Sequence, residues 1–138
     1  MTKIKRVLVV DDEIEFMNLL KLALELDGGY EVREVYSALR AVEVAHEFDP
    51  HVIVLDCMMP ELSGNELASL IRRDPLLKGT PIIFLTATVS EPEVRPSAEG
   101  EMQTYLPKPL RLPQLIKCIE DETARGAGST KSEIRNPK

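Results

Sequence analysis

Ile4 to Val10 is an apolar run rich in β-branched residues, and beyond it Phe16, Leu19, Leu20, Ala23 and Leu26 recur at helical spacing. The change of period predicts a strand, an acidic turn at Asp11-Asp12-Glu13, and an amphipathic helix. Gly28-Gly29 ends that helix as C-terminal capping glycines do, and Tyr30 to Val35 alternates as a short strand. Ser37 is placed to cap a second helix with the apolar stripe Ala38, Ala41, Val42, Ala45 and Phe48, which Asp49-Pro50 closes. Val52 to Leu55 is a continuous apolar run, the mark of a strand buried on both faces, and it leads directly into Asp56. Leu67, Leu70 and Ile71 mark a third helix ending near Asp74-Pro75. Pro81 to Leu85 forms a fourth strand ending at Thr86. A fifth strand fits Gln103 to Leu106, and a last helix carries Leu112, Leu115, Ile116 and Ile119, with Pro113 tolerated in its first turn.

Strands alternating with helices imply an α/β domain: a doubly wound, five-stranded parallel sheet with helices on both faces. The helix expected between Thr86 and Gln103 is the exception to the regular pattern. That segment holds Pro92 and Pro96, and an interior proline costs a helix about 3 kcal/mol, so helix four is expected to be short, displaced or irregular. With 138 residues, 43% of them hydrophobic, one domain with a real core is expected over residues 4–124, followed by a flexible polar tail over 125–138.

Charge narrows the function. Asp and Glu total 23 against 17 Lys and Arg, a formal net charge of -6, which repels a nucleic-acid backbone and argues against direct nucleic-acid binding. No apolar run approaches the ~20 residues of a membrane span and no signal peptide is apparent, so a cytoplasmic location without membrane association is expected. Cys57 and Cys118 stand far apart without metal-ligand spacing and read as ordinary thiols.

In open α/β sheets, residues that close separate strands meet in a crevice at the carboxyl ends. Here those residues are Asp11 and Asp12 after the first strand, Asp56 after the third, Thr86 after the fourth, and Lys108 after the fifth. With strand order 2-1-3-4-5, Asp12 and Asp56 lie on neighbouring strands, and three carboxylates share one pocket. Two like charges ~4 Å apart repel by roughly 4 kcal/mol at an effective dielectric near 20, and an oxygen-liganded divalent cation, Mg²⁺ above all, relieves that repulsion. Each residue also has a plain structural reading: Asp11 or Asp12 as a helix cap, Asp56 as a turn residue before Met59-Pro60, Lys108 as a solvated surface lysine. Nothing in a fold requires all of them together.

The motifs Val9-Val10-Asp11-Asp12-Glu13, Leu55-Asp56-Cys57-Met58-Met59-Pro60 with Gly64 beyond, Leu85-Thr86-Ala87 and Tyr105-Leu106-Pro107-Lys108-Pro109 resemble the receiver domains of bacterial two-component response regulators, over about residues 4–123. The resemblance implies a flavodoxin-like fold in which Asp56 accepts a phosphoryl group from a phosphohistidine, on a sensor histidine kinase or histidine phosphotransfer protein. Small molecules such as acetyl phosphate serve as alternative donors. It implies Mg²⁺ held by Asp11, Asp12, Asp56 and the backbone carbonyl of Met58, with Lys108 and Thr86 on phosphoryl oxygens. Thr86 and Tyr105 are then the switch residues, Met58 and Thr88 tune water access to the acyl phosphate, and the Lys108–Pro109 bond is cis. Such a protein is not an enzyme beyond its own phosphorylation and autodephosphorylation, and it is expected as a monomer or weak dimer that switches a downstream partner. The competing functions are a Mg²⁺-dependent aspartyl-phosphate phosphohydrolase, which wants a second acid and a cap that the chain lacks, a flavin-binding protein, whose phosphate the acidic turn would repel, and a constitutive binding module that is never phosphorylated.

Overall fold

The computed structural model describes residues 3–97 and 100–126. In chain order the elements are β1 (Lys5–Val10), α1 (Ile14–Asp27), β2 (Tyr30–Val35), a single 3₁₀ turn (Ala38–Arg40), α2 (Ala41–Phe48), β3 (Val52–Asp56), α3 (Gly64–Arg73), β4 (Ile82–Thr86), β5 (Glu93–Pro96), β6 (Met102–Pro107) and α4 (Leu112–Gly126). They form one six-stranded sheet in the order β2-β1-β3-β4-β6-β5. Every pair is parallel except β5 with β6.

The five parallel strands follow the order expected for a doubly wound sheet. β3 and β4 are buried at every position, because both of their faces are covered. On one face Leu8, Ile53, Leu55 and Phe84 pack with Ala41, Val44 and Phe48 of α2 and Leu67 and Ile71 of α3. On the other, Val7, Val9, Val54 and Leu85 pack with Met17, Leu20 and Leu24 of α1 and Leu115 and Ile119 of α4. Lys5 Nζ, at the start of β1, donates to Glu120 Oε1 of α4 at 2.6 Å, and the Tyr30 hydroxyl of β2 donates to the other oxygen of the same carboxylate at 2.5 Å.

The segment around the two prolines departs from expectation. Instead of a short or irregular helix it forms β5, a sixth strand running antiparallel to β6 with Glu93 opposite Tyr105, Val94 opposite Thr104 and Arg95 opposite Gln103. Proline disqualifies a helix interior but is at home on an edge strand. The Ser97 N–H donates to Glu101 O at 2.7 Å, and Gly100 takes φ +92°, so the hairpin closes in a turn that suits glycine. From that inward bond, the alternation of an antiparallel ladder directs the backbone of Pro96, Val94 and Pro92 away from β6. Two of those three residues have no N–H, so the free edge offers one donor, at Val94.

Two smaller differences concern helix starts. Ser37 makes no capping bond; its hydroxyl donates to Glu61 Oε1 at 3.1 Å, and the 3₁₀ turn intervenes before α2. α3 instead carries a full capping box, in which the Ser63 hydroxyl accepts from the Glu66 N–H and Glu66 accepts from the Ser63 N–H. Of the expected polar tail, residues 127–138 lie outside the described residues, and Arg125-Gly126 complete α4. No helix among the described residues is long and apolar enough to cross a membrane.

Candidate functional site

The carboxyl ends of β1, β3, β4 and β6 converge on one acidic pocket. Asp11 follows β1 and is fully buried; its Oδ1 accepts the Glu13 N–H at 3.0 Å, which fixes the turn into α1. Asp12 beside it is exposed, and Asp56 closes β3 with 4% of its surface exposed. One oxygen from each of Asp11, Asp12 and Asp56 lies within 4.8 Å of the others, the single group of this kind among the described residues.

Lys108 follows β6, and its N–H donates to Thr86 O at 3.0 Å, which aligns the ends of β4 and β6. The Lys108–Pro109 peptide bond is cis, as the resemblance implies. The ammonium donates to Asp56 Oδ1 at 3.1 Å and to Asp11 Oδ2 at 3.5 Å, lies 3.6 Å from Glu13 Oε1, and sits 5.6 Å from the centre of the Phe16 ring. Asp56 Oδ1 also accepts the Met58 N–H at 3.3 Å.

One lysine does not balance this much negative charge. Burial pushes the Asp11 carboxyl up to about 6; the Glu13 N–H opposes the rise, Asp56 adds to it, and Lys108 counters only part of it. Lys108 shows the reciprocal effect. Burial alone would lower its pKa, but the hydrogen bond to Asp56 and the charges of Asp11, Asp56 and Glu13 hold it above the ordinary lysine range. An all-oxygen donor set with surplus negative charge suits a hard divalent cation, so the residues present fit Mg²⁺.

The Thr86 hydroxyl lies 3.0 Å from the Thr88 hydroxyl, accepts the Thr88 N–H at 3.2 Å, and is also hydrogen-bonded with the Cys57 side chain next to Asp56. Thr88 and Met58 are both exposed, Met58 at 79%. Tyr105 is buried, in register with Phe84 and stacked on it with ring centres 4.9 Å apart. The site thus brings together Asp11, Asp12, Asp56 and Lys108, with Thr86 and Thr88 closing the neighbouring strand and Tyr105 packed beneath.

Several participants carried no assignment in the sequence. Glu13 was visible as part of the acidic turn, but its approach to Lys108, 95 positions later in the chain, depends on the strand order. Gly64 sits where a Cβ would lie 2.6 Å from the Asp56 carbonyl oxygen and 2.9 Å from Cys57 Cα, so α3 starts against the backbone of the acidic residue itself. Arg95, with its guanidinium 4.9 Å from the centre of the Tyr105 ring, reaches Tyr105 through the β5–β6 hairpin that no periodicity announced, whereas Gln103, two residues before Tyr105 on β6, donates its amide to the Tyr105 hydroxyl at 2.7 Å.

Fold and pocket define a doubly wound α/β domain with an acidic crevice at the strand ends. The family model for the response regulator receiver domain matches residues 7–120. The chain is 31% identical over 116 residues to the polar-differentiation response regulator DivK of Brucella ovis, a match covering 84% of this chain and 94% of that protein. The chemotaxis response regulator CheY4 of Vibrio cholerae superposes with a TM-score of 0.71 at 28% identity, over 87% of this chain and 99% of that one. The receiver domain of the sensor histidine kinase PA1611 of Pseudomonas aeruginosa, which holds a magnesium ion in its active-site cleft, superposes with a TM-score of 0.73 at 24% identity, over 88% and 98% of the two chains; at that identity the likeness concerns the fold. The chain belongs to the response regulator receiver domain family. Members of this family are signalling modules of two-component systems, not metabolic enzymes.

Proposed function

We propose that this domain, residues 4–124, is a phosphoacceptor: Asp56 takes a phosphoryl group from a phosphohistidine of a sensor kinase or histidine phosphotransfer protein in a Mg²⁺-dependent reaction, and the modified domain changes its affinity for a downstream partner. The observation that carries this reading is the buried Asp56 carboxylate, with Lys108 Nζ at 3.1 Å and the carboxylates of Asp11 and Asp12 beside it.

Asp11, Asp12, Asp56 and the Met58 carbonyl would hold the cation, which when bound neutralises charge on the phosphoryl oxygens. Among the described residues both hydrogen-bond partners of Asp56 sit on Oδ1, so Oδ2 is the oxygen placed to attack phosphorus. The new O–P bond forms as the P–N bond breaks and its electron pair returns to the donor imidazole. Lys108 is within reach of an oxygen of the transferred group and moves to it from Asp56. Thr86 exchanges its bonds with Thr88 for another phosphoryl oxygen, and Tyr105 changes rotamer in response. The phosphoryl group adds negative charge and strong acceptors that one arrangement of the β4 loop satisfies better than the other. Water attack on phosphorus later restores Asp56 and releases phosphate, and the exposed Met58 and Thr88 at the pocket mouth govern that access. On this reading the chain works in the cytoplasm as a monomer or weak dimer, without contacting nucleic acid itself.

Incubation with Mg²⁺ and acetyl phosphate is expected to give an acid-stable, base-labile phosphoprotein, absent when the cation is chelated and absent in Asp56→Asn. Equal labelling of Asp56→Asn would overturn the assignment.

A further inference from the structure

α1 is apolar on two opposite faces. Met17, Leu20 and Leu24 are buried against the sheet, yet the other side of the helix carries Leu19, Leu22 and Leu26, exposed at 67%, 56% and 76%. Steps of three and four residues place these leucines in one line along the helix. The other helices on the sheet differ: α2 turns Glu43, His46 and Glu47 to solvent, and α4 turns Lys117, Glu120 and Asp121. A helix with leucine on its outer line as well as its inner one is of the kind covered on both sides, and the three-four spacing is that of a two-helix seam.

Charge beside the seam indicates what covers it. Lys21 and Glu25 pair at 2.8 Å along one flank, and both are pinned to the sheet edge at β2: Lys21 Nζ donates to Val32 O at 2.9 Å, and Glu25 Oε2 accepts the Val32 N–H at 3.0 Å. The flank therefore presents one positive and one negative charge in fixed places, about one turn apart. A two-fold axis midway between Leu19 and Leu26 sets each of these leucines opposite the other in a second copy, and Leu22 against Leu22. In that antiparallel arrangement Lys21 of each copy lies within one residue's rise, about 1.5 Å, of the level of Glu25 in the other, on the same flank. Both charges then meet their opposites. A parallel pairing would instead stack Lys21 on Lys21 and Glu25 on Glu25.

We propose that Leu19, Leu22 and Leu26 form a homodimer interface, in which α1 pairs antiparallel with α1 of a second copy about a two-fold axis near Leu22, and Lys21 and Glu25 of the two copies meet along its flank. The surface is complementary to itself in its apolar line and in its charges, as an isologous contact requires. It lies at the β2 edge of the sheet, the far side from β5. The inference is independent of the phosphoacceptor reading.

Sedimentation equilibrium of the whole chain over a concentration series tests this. The parent is expected to dimerise reversibly with a Kd of roughly 0.01–1 mM, the range for a small interface. Leu22→Gln is expected to weaken the dimer on the order of tenfold or more, since it removes a leucine from both sides of the axis. Leu39→Gln, at a leucine 69% exposed elsewhere on the surface, is expected to leave the constant within about twofold. Lys21→Glu and Glu25→Lys are each expected to weaken it by roughly threefold, and the double exchange to recover most of that loss. Matching urea midpoints establish that the variants remain folded. A parent that stays monomeric up to about 1 mM overturns the proposal, even if the stripe captures a different protein. A dimer indifferent to Leu22→Gln overturns it as well, and a double exchange without recovery overturns the antiparallel register.

Discussion

Replacing Gly64 by alanine isolates the mechanical link between α3 and the strand that ends in Asp56. The added Cβ would lie 2.6 Å from the Asp56 carbonyl oxygen, 2.9 Å from Cys57 Cα and 3.2 Å from the Asp56 carbonyl carbon. Favourable carbon contacts fall at about 3.5–4.0 Å, so all three are overlaps, and all three are with backbone that cannot swing aside as a side chain would. Two effects compete. Alanine lowers the entropy of the unfolded chain and favours the helix, a gain of about 0.4–1 kcal/mol. Overpacking against fixed atoms costs about 1–3 kcal/mol, and a backbone neighbour on each count puts this site at the upper end. The net expectation is a loss of about 2 kcal/mol, or a Tm lower by roughly 5–10 °C. Gly79→Ala is the matched control, since a Cβ there meets nothing within 4 Å. Urea denaturation of the two variants and the parent measures the difference, and fluoroberyllate titration reads the displacement of Asp56 as weaker binding. If Gly64→Ala unfolds within about 0.5 kcal/mol of Gly79→Ala, the close approach of α3 to the Asp56 backbone is not what limits the site.

Asp11→Asn is expected to stabilise the cation-free chain at pH 8 by about 1–3 kcal/mol, because a carboxyl raised from 3.8 to about 6 in the fold loses stability as the pH climbs through that window. The gain should vanish below pH 4, and urea midpoints at the two pH values check it. Glu120 behaves with the opposite sign: hydrogen bonds from Lys5 and Tyr30 lower its pKa, so its contribution is present above the ordinary glutamate range and is lost as the pH falls through the depressed value. The carboxylate side chain is half exposed at 49%, which limits its worth to under about 1 kcal/mol, seen as a Glu120→Gln penalty at pH 7 that shrinks toward pH 3. Converting Pro92 and Pro96 together to valine should restore two outward N–H donors to the β5 edge and raise self-association above that of the parent, as followed by sedimentation over a concentration series.

The parts of the structure readable in advance are those whose signal is local or periodic. Val52 to Leu55 and Ile82 to Leu85 announce buried parallel strands because both faces must be apolar, and polar residues at the strand ends, Asp11, Asp56, Thr86 and Lys108, then fall into one crevice through topology alone. The Pro92–Pro96 stretch was legible only as a prohibition. Prolines say that a helix is impaired, but strand formation by four exposed residues depends on the partner β6, which lies beyond a turn. Arg95 therefore gave no hint of meeting Tyr105. Ser37 shows the opposite limit, where a good capping residue is spent on Glu61 instead. The Ser63-Gly64-Asn65-Glu66 spacing does carry its capping box openly, whereas the close approach at Gly64 depends on where α3 lies against β3.

The strand order also sets when the pocket becomes whole during synthesis. β1 lies between β2 and β3, and all three strands come from the N-terminal part of the chain, so the strands that carry Asp11, Asp12 and Asp56 can pair before the second half is made. Lys108 emerges some fifty residues after Asp56, the separation in the chain between them being 52. A nascent chain therefore carries three converging carboxylates before the lysine that pairs with Asp11 and Asp56 is made, and a divalent ion would act as a temporary stand-in for it. Lys108 is in this sense the last piece of the pocket to be made, and a chain truncated before it is left with an electrostatic fault at its centre.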